Sequence, residues 1–241
     1  MKSIYNFGIY CYKQLVALAG IRNVKARKLT QGQKGIFDCL SRHADPQGGY
    51  LWIHASSLGE FEQGRPLIEA IKKAQPDTKI LLTFFSPSGY EVRKDYSGAD
   101  LICYLPFDLP GNVRRFLDLT KPTKAIFIKY EFWANYLNEL KRRNIPTYIV
   151  SAIFRPKQIF FRSYGGYFRR ILKNFTHLYI QDERSRQLLA SIGIDNVSIV
   201  GDTRFDRVGD IRRTAKELPL VEAFAQGKKI LIAGSSWPKD E

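Results

Sequence analysis

Acid is in short supply in this chain. Across 241 residues, 23 Asp and Glu stand against 38 Lys and Arg, a formal net charge of +15. The deficit is concentrated: no acidic residue precedes Asp38, and none lies between residues 151 and 181. Such a balance points to polyanionic partners, whether nucleic acid, an anionic membrane face or a phosphorylated substrate, and charge alone does not rank the three. Cysteine is scarce too. Cys11, Cys39 and Cys103 are odd in number and far apart, which argues against a disulfide framework and for reduced thiols in a cytosolic setting. His43, His54 and His177 are equally scattered, so no metal site is indicated. Neither G-x-G-x-x-G nor a Walker pattern occurs. What is present, 44% hydrophobic and 13% aromatic residues, is the composition of a folded protein rather than a disordered one.

The amino-terminal stretch differs from the rest. Ile4, Tyr5, Phe7, Ile9, Tyr10, Tyr12, Leu15, Val16 and Leu18 are followed by Arg22, Lys25, Arg27, Lys28 and Lys34. An apolar, tyrosine-rich helix with a basic flank fits an interfacial, membrane-associating element over residues 1–42. As a spanning helix it is short and interrupted by Lys13 and Gln14. Ala17-Leu18-Ala19 resembles a signal-peptide cleavage site, although Lys13 within the apolar region argues against one. A helix packed on its own domain is the third alternative.

From residue 50 onward short apolar runs recur, at 50–55, 79–85, 101–106, 124–130, 147–152, 177–181, 197–200 and 229–233. Helix-like stretches at 65–74, 131–144 and 182–192 separate several of them. Strands alternating with helices predict a doubly wound, parallel-sheet, Rossmann-like α/β domain over residues 48–210. Ligands of such sheets sit beyond the carboxyl ends of the strands. Glu60, Ser86-Pro87-Ser88-Gly89, Glu131 and residues 201–206 all fall at such places. Residues 211–227 read as a connector. Residues 228–241 read as the first strand of a second domain, running into Gly234-Ser235-Ser236, where Ser235 and Ser236 are positioned to cradle phosphate. On this reading the chain is a fragment or a shortened form: one whole domain and the start of another.

Glu60 is the most informative single position. Ser57-Leu58-Gly59-Glu60 follows an apolar strand and places a carboxylate at a helix amino terminus, where free N–H groups and the helix dipole favour its charged form. A charged carboxylate there suits a catalytic base; it equally suits a helix that merely caps itself. Pro66 is expected to delay the regular helix, leaving Glu60 in an exposed turn.

Five strings together resemble the 3-deoxy-D-manno-octulosonic acid (Kdo) transferases of lipopolysaccharide synthesis. They are Trp52-Ile53-His54-Ala55-Ser56-Ser57-Leu58-Gly59-Glu60, Thr83-Phe84-Phe85-Ser86-Pro87-Ser88-Gly89, Tyr104-Leu105-Pro106-Phe107-Asp108-Leu109-Pro110, Glu131-Phe132-Trp133-Ala134-Asn135 and Gly201-Asp202-Thr203-Arg204-Phe205-Asp206. The resemblance implies the amino-terminal, acceptor-binding half of a GT-B glycosyltransferase that takes Kdo from CMP-Kdo to a lipid A precursor. It implies no metal and no cofactor, and a location on the cytoplasmic face of the inner membrane. Carried over by residue, it makes Glu60 the general base and Glu131 and Arg204 the stabilisers of the transition state. Ser57, Gly59, Ser86, Ser88, Gly89, Lys129, Arg155, Ser235 and Ser236 are the candidate substrate-binding residues. Two departures stand out. The family's first glutamate in the Met-Glu-Thr-Glu pattern is Lys129 here, which could instead hold a phosphate or the Kdo carboxylate. The family's lysine in Gly-Asn-Leu-Lys-Phe-Asp is Arg204, which keeps the charge and changes its geometry.

The acid-free segment from Ser151 to Gln181 carries Arg155, Lys157, Arg162, Arg169, Arg170 and Lys173 among its aromatics. A phosphorylated glycolipid would use both, arginines for phosphates and rings for acyl chains or sugar faces. Single-stranded nucleic acid would use the same mixture, but no nucleic-acid-binding motif accompanies it. The alternative to an enzyme is therefore a non-catalytic basic α/β domain that binds anionic lipid or nucleic acid.

Overall fold

The computed structural model describes residues 1–213, 218–231 and 233–238, which divide into two compact units, Met1–Arg207 and Val208–Glu241. In the first unit, strands β1 (Leu51–His54), β2 (Ile80–Phe84), β3 (Leu101–Tyr104), β4 (Lys124–Ile128), β5 (Thr147–Ala152), β6 (His177–Ile180) and β7 (Val197–Ile199) form one parallel sheet of order β3-β2-β1-β4-β5-β6-β7. Helices α1 (Lys2–Ala19), α2 (Val24–Lys34) and α3 (Ile36–His43) precede it. The strands are joined by α4 (Leu58–Ala74), α5 (Pro87–Arg93), α6 (Pro110–Thr120), α7 (Ala134–Arg142), α8 (Gly166–Leu172) and α9 (Glu183–Ala190), and α10 (Arg204–Arg213) follows β7. The first seven apolar runs are these strands.

Short-range chemistry starts several of the helices. Pro87 and Pro110 occupy the first turns of α5 and α6, where a missing N–H costs nothing and the fixed φ is already helical. The Asp182 side chain accepts from Ser185 N at 2.7 Å to cap α9, a contact that supplies one of the partners a helix start lacks. Pro66 does not delay α4: the helix begins at Leu58 and continues through the proline. The buried side chains of Phe61, Gln63 and Ile68, in the turns on either side of Pro66, supply the tertiary packing that outweighs the lost backbone bond.

The order of connections decides where ligands can sit. The chain winds outward from β1 to β2 and β3, returns through α6 to β4 at the other side of β1, and then winds outward the opposite way. Right-handed crossovers in opposite directions put their helices on opposite faces. Accordingly one core gathers Phe61 and Ile68 of α4 over Ile53, Leu82 and Ile128. The other gathers Phe116, Tyr136, Leu137 and Leu189 over Trp52, Phe127, Ile149 and Leu178. Trp52 is fully buried, with the rings of Phe116, Phe127 and Tyr136 at 5.0, 5.1 and 5.5 Å. On the α4 face, Ile126, Tyr148, Val150 and Tyr179 line an apolar groove of about 660 Å³ beside Pro66, Leu67 and Ala70. The winding reverses between β1 and β4, so their carboxyl ends open the crevice that such folds use for binding.

Helix α1 packs on the first unit through one side only. Tyr5, Ile9 and Val16 pack against the larger core, and Tyr12 meets the rings of Phe85 and Phe107. The opposite side exposes Ile4, Phe7, Tyr10, Leu15 and Leu18. Among the described residues, no helix is long and apolar enough to cross a membrane.

The second unit contains α11 (Pro219–Ala225). The strand expected at 229–233 is not formed at residues 229–231 or 233, and residue 232 lies outside the described residues, as do 214–217 of the expected connector. A lone strand without a neighbour has nothing to take up its backbone N–H and C=O groups.

Candidate active site

Glu60 stands in the first turn of α4, directly beyond the end of β1, and its carboxylate reaches back to the helix start. Oε2 accepts from Ser57 N at 2.7 Å and from Ser57 Oγ at 3.0 Å, the reciprocal contact of a Ser-x-x-Glu capping box. The capping role raised as an alternative is thus present, and both bonds fall on one oxygen. The expected effect of the helix dipole does not dominate: burial pushes the Glu60 carboxyl up, the charge of Glu131 adds to it, and the bonds from Ser57 and the neighbouring His54 oppose them without cancelling. A carboxylate desolvated beside another negative charge holds a proton more readily. Gly59 is exposed, and a Cβ there would meet nothing nearer than Ser57 Oγ at 4.0 Å.

Glu131 is not the helix-start residue that its sequence position suggests. It lies in the turn between β4 and α7, is 8% exposed, and its Oε2 is held from two sides, by Trp133 Nε1 at 2.5 Å and His54 Nε2 at 3.2 Å. His54, the last residue of β1, is fully buried. Its Nδ1 lies 2.8 Å from Thr83 Oγ1 and 3.1 Å from Thr83 O. The parallel register that pairs His54 with Thr83 of β2 and Phe127 of β4 makes these contacts.

Lys129 has φ of +73° and donates its N–H to Val150 O at 2.9 Å. This left-handed turn, uncommon away from glycine, lifts the chain out of β4 toward Glu131. Its ammonium lies 5.4 Å over the Tyr130 ring. Arg204 is exposed and folds back on Asp202, with Nε at 2.8 Å and Nη2 at 2.5 Å from Oδ2. This pair holds the Asp202 carboxyl below its usual range. Gln63, one turn along α4 from Glu60, donates to the other Asp202 oxygen at 3.2 Å. Arg204 therefore reaches the same strand-end rim, where its nearest partner is Asp202 rather than either glutamate.

The remaining candidates separate. Ser86 and Ser88 place their hydroxyls 2.9 Å apart at the start of α5, where Ser86 Oγ also accepts from Ser88 N at 3.2 Å. Gly89 faces the interior: a Cβ would lie 2.3 Å from the Phe84 ring, so packing requires glycine here. Arg155 is exposed beyond β5, its backbone N–H held by Gln158 Oε1 at 2.9 Å. Of the basic aromatic segment, Phe154, Phe160, Tyr167 and Phe175 are core residues, and Arg169 donates to the carbonyls of Phe160 and Arg162 at 3.1 and 2.8 Å. Ser235 and Ser236 are exposed within the second unit.

His54, Thr83, Trp133 and Asp108 were missed by sequence reasoning. His54 carried one usable signal, a polar residue ending an apolar strand. Asp108 is fully buried in the string Phe107-Asp108-Leu109; it accepts from Tyr5 Oη at 2.6 Å and from the N–H groups of Asn135 and Tyr136, each at 3.0 Å. It thereby serves the start of α7, and burial raises its carboxyl to about 6.

Comparison with known proteins bears on what this crevice belongs to. The sequence model described as 3-deoxy-D-manno-octulosonic-acid transferase (kdotransferase) matches residues 25–207. The 3-deoxy-D-manno-octulosonic acid transferase of Haemophilus influenzae is 25% identical over 95% of this chain and 54% of its own length. That of Rickettsia bellii is 27% identical over 98% and 54%, and that of Aquifex aeolicus 30% over 65% and 41%. The chain thus spans about half the length of the first two relatives. Among solved structures, the UDP-GlcNAc 2-epimerase from Neisseria meningitidis superposes with a TM-score of 0.55 at 15% identity, covering 75% of this chain and 54% of that one. The Methanocaldococcus jannaschii enzyme of the same name gives 0.53 at 17%, covering 75% and 53%; both likenesses concern the fold. With three quarters of its length under the family's own sequence model, the chain belongs to the 3-deoxy-D-manno-octulosonic acid transferase family.

Proposed function

We propose that the chain is the acceptor-binding half of an inverting glycosyltransferase that moves Kdo from CMP-Kdo to a lipid A precursor on the cytoplasmic face of the inner membrane. One observation carries this reading: Glu60, its carboxyl raised by burial and by Glu131, stands beyond β1 next to the reversal of the sheet, with Glu131 beyond the adjacent β4. An acceptor hydroxyl must lose its proton as it attacks the anomeric carbon. Glu60 takes that proton, the new C–O bond forms, and the bond to the CMP phosphate breaks with its electron pair leaving on phosphate. A base whose affinity for protons has been increased is better matched to that task near neutral pH than an ordinary glutamate. Glu131 and Arg204 steady the charge that develops, with Arg204 exchanging Asp202 for substrate. Ser57, Gly59, Ser86, Ser88, Lys129 and Arg155 contact the substrates around the crevice.

The membrane side of the reading rests on α1. Its outward Ile4, Phe7, Leu15 and Leu18 are exposed, and no acid precedes Asp38, a combination suited to an anionic interface. The donor site, including Ser235 and Ser236, falls to the second unit and to the part of the relatives' length that this chain does not span.

The test is transfer of Kdo from CMP-Kdo to a lipid A precursor, measured with this chain joined to the remaining length of the Haemophilus influenzae relative. Product formation is expected. A folded fusion that binds both substrates and makes no product overturns the reading.

A further inference from the structure

A line of hydrogen bonds runs from the core to Glu131, and its two ends determine its direction. Trp52 Nε1 lies 2.8 Å from Thr83 Oγ1, which lies 2.8 Å from His54 Nδ1, and His54 Nε2 lies 3.2 Å from Glu131 Oε2. Trp52, Thr83 and His54 are fully buried. An indole nitrogen can only donate, which makes Thr83 Oγ1 an acceptor at that end. Among the described residues, the acceptor at hydrogen-bond distance for the Thr83 hydroxyl proton is His54 Nδ1. That nitrogen is then an acceptor, the ring's proton sits on Nε2, and Nε2–H points at the carboxylate. The opposite assignment, Nδ1–H donating to Thr83 O at the longer 3.1 Å, leaves the threonine proton without an acceptor. It also leaves either a bare ring lone pair facing Glu131 or a second ring proton.

We infer that His54 is a positioning residue, held in its Nε2–H tautomer by the Thr83 hydroxyl, which fixes the orientation of Glu131 opposite Glu60. His54 and Trp133 donate to the same oxygen, so the carboxylate is clamped by one edge. A tautomer set by a buried neighbour orients the ring's partner as well as the ring. The inference rests on the reading of this crevice as the transfer site only for what Glu131 then does; the tautomer itself is a property of this chain alone.

The test uses ring-nitrogen NMR on the 241-residue chain labelled with 15N-histidine, with His54 assigned by comparison with His54→Gln. A protonated Nε2 and an unprotonated Nδ1 are expected for His54 at neutral pH. Thr83→Val should move the proton to Nδ1 or mix the two tautomers, and Thr83→Ser, which restores the hydroxyl, should restore Nε2–H. An Nδ1–H or doubly protonated His54 in the native chain overturns the inference, as does an unchanged tautomer in Thr83→Val. Should Thr83→Val fail to fold, the native chain and Thr83→Ser decide the question. Failure of the transfer assay with the expected tautomer intact would count against the function and not against this assignment.

Discussion

Tyr5 donates its hydroxyl to Asp108 at 2.6 Å across 103 residues of sequence, and Asp108 in turn accepts the N–H groups of Asn135 and Tyr136 in the first turn of α7. The amino-terminal helix is thereby joined to the element that follows Glu131. Asn135 Nδ2, which donates to Asn6 Oδ1 at 2.8 Å and to Asp108 O at 2.6 Å, closes the same junction. Burial is the first cause of the rise of the Asp108 carboxyl to about 6, and the bonds from Tyr5, Asn135 and Tyr136 oppose it.

That shift has a pH signature. Because the folded-state value lies above the unfolded one, the native chain binds more protons than the unfolded chain between about pH 4 and 6, and this group's contribution falls as pH rises through that window. Asp108→Asn removes the titration. Its stability relative to the native chain should therefore improve by about 2 kcal/mol from pH 4 to pH 7, whatever its absolute value. Urea unfolding at both pH values measures this; a constant difference would mean that Asp108 does not titrate in the window.

Glu60→Gln separates catalysis from capping. Glutamine keeps the acceptor that Ser57 N uses, so the helix start should survive with a stability change below about 1 kcal/mol. Transfer by the fusion should fall by about 10²- to 10⁴-fold. Full activity in a folded variant would remove Glu60 from the base role.

Glu131→Gln tests the coupling between the two carboxyls. Glu131 is the second cause of the raised Glu60 carboxyl, after burial. Neutralising it should move the acidic limb of the pH–rate profile downward, toward but not onto that of an exposed glutamate. Carboxyl 13C titration of Glu60 in this chain gives the same answer without the donor half.

Gly89→Ala should act on stability rather than binding. Its Cβ would fall 2.3 Å from the Phe84 ring, and overpacking of this kind costs about 1–3 kcal/mol. A lowered melting temperature with unchanged acceptor affinity is expected.

Phe7→Ser with Leu18→Ser tests the outward face of α1 while leaving Tyr5 on Asp108. Each side chain contributes about 1.5–3 kcal/mol when fully buried in an apolar phase. Binding to anionic vesicles, measured by flotation, should weaken at least tenfold. Unchanged binding would leave the basic flank, not the helix, as the attachment.

The legible parts of the fold were those with local causes. Seven apolar runs of strand length became seven strands because a parallel sheet buried on both faces needs continuous apolar sequence. Ser57-x-x-Glu60 announced a helix start because its contacts span only three residues. The family strings placed Glu60, Glu131 and Arg204 at strand ends, and all three lie there. Pro66 misled because the helix-breaking tendency of one residue is a local quantity, outweighed by the burial of Phe61 and Ile68 around it. The closeness of Gly89 to the Phe84 ring was not legible, because it depends on how α5 packs on β2.

By itself, then, the amino-acid order determined the alternation of strand and helix, the basic character of the surface and the carboxylate beyond the first strand, each a matter of neighbours along the chain. Only the tertiary structure decided that His54 meets Glu131, 77 residues away, that burial and Glu131 raise the Glu60 carboxyl, and that Tyr5 closes on Asp108. Those facts depend on which strands become neighbours and on how much water is excluded between them, and neither quantity is written in any stretch of sequence shorter than the fold.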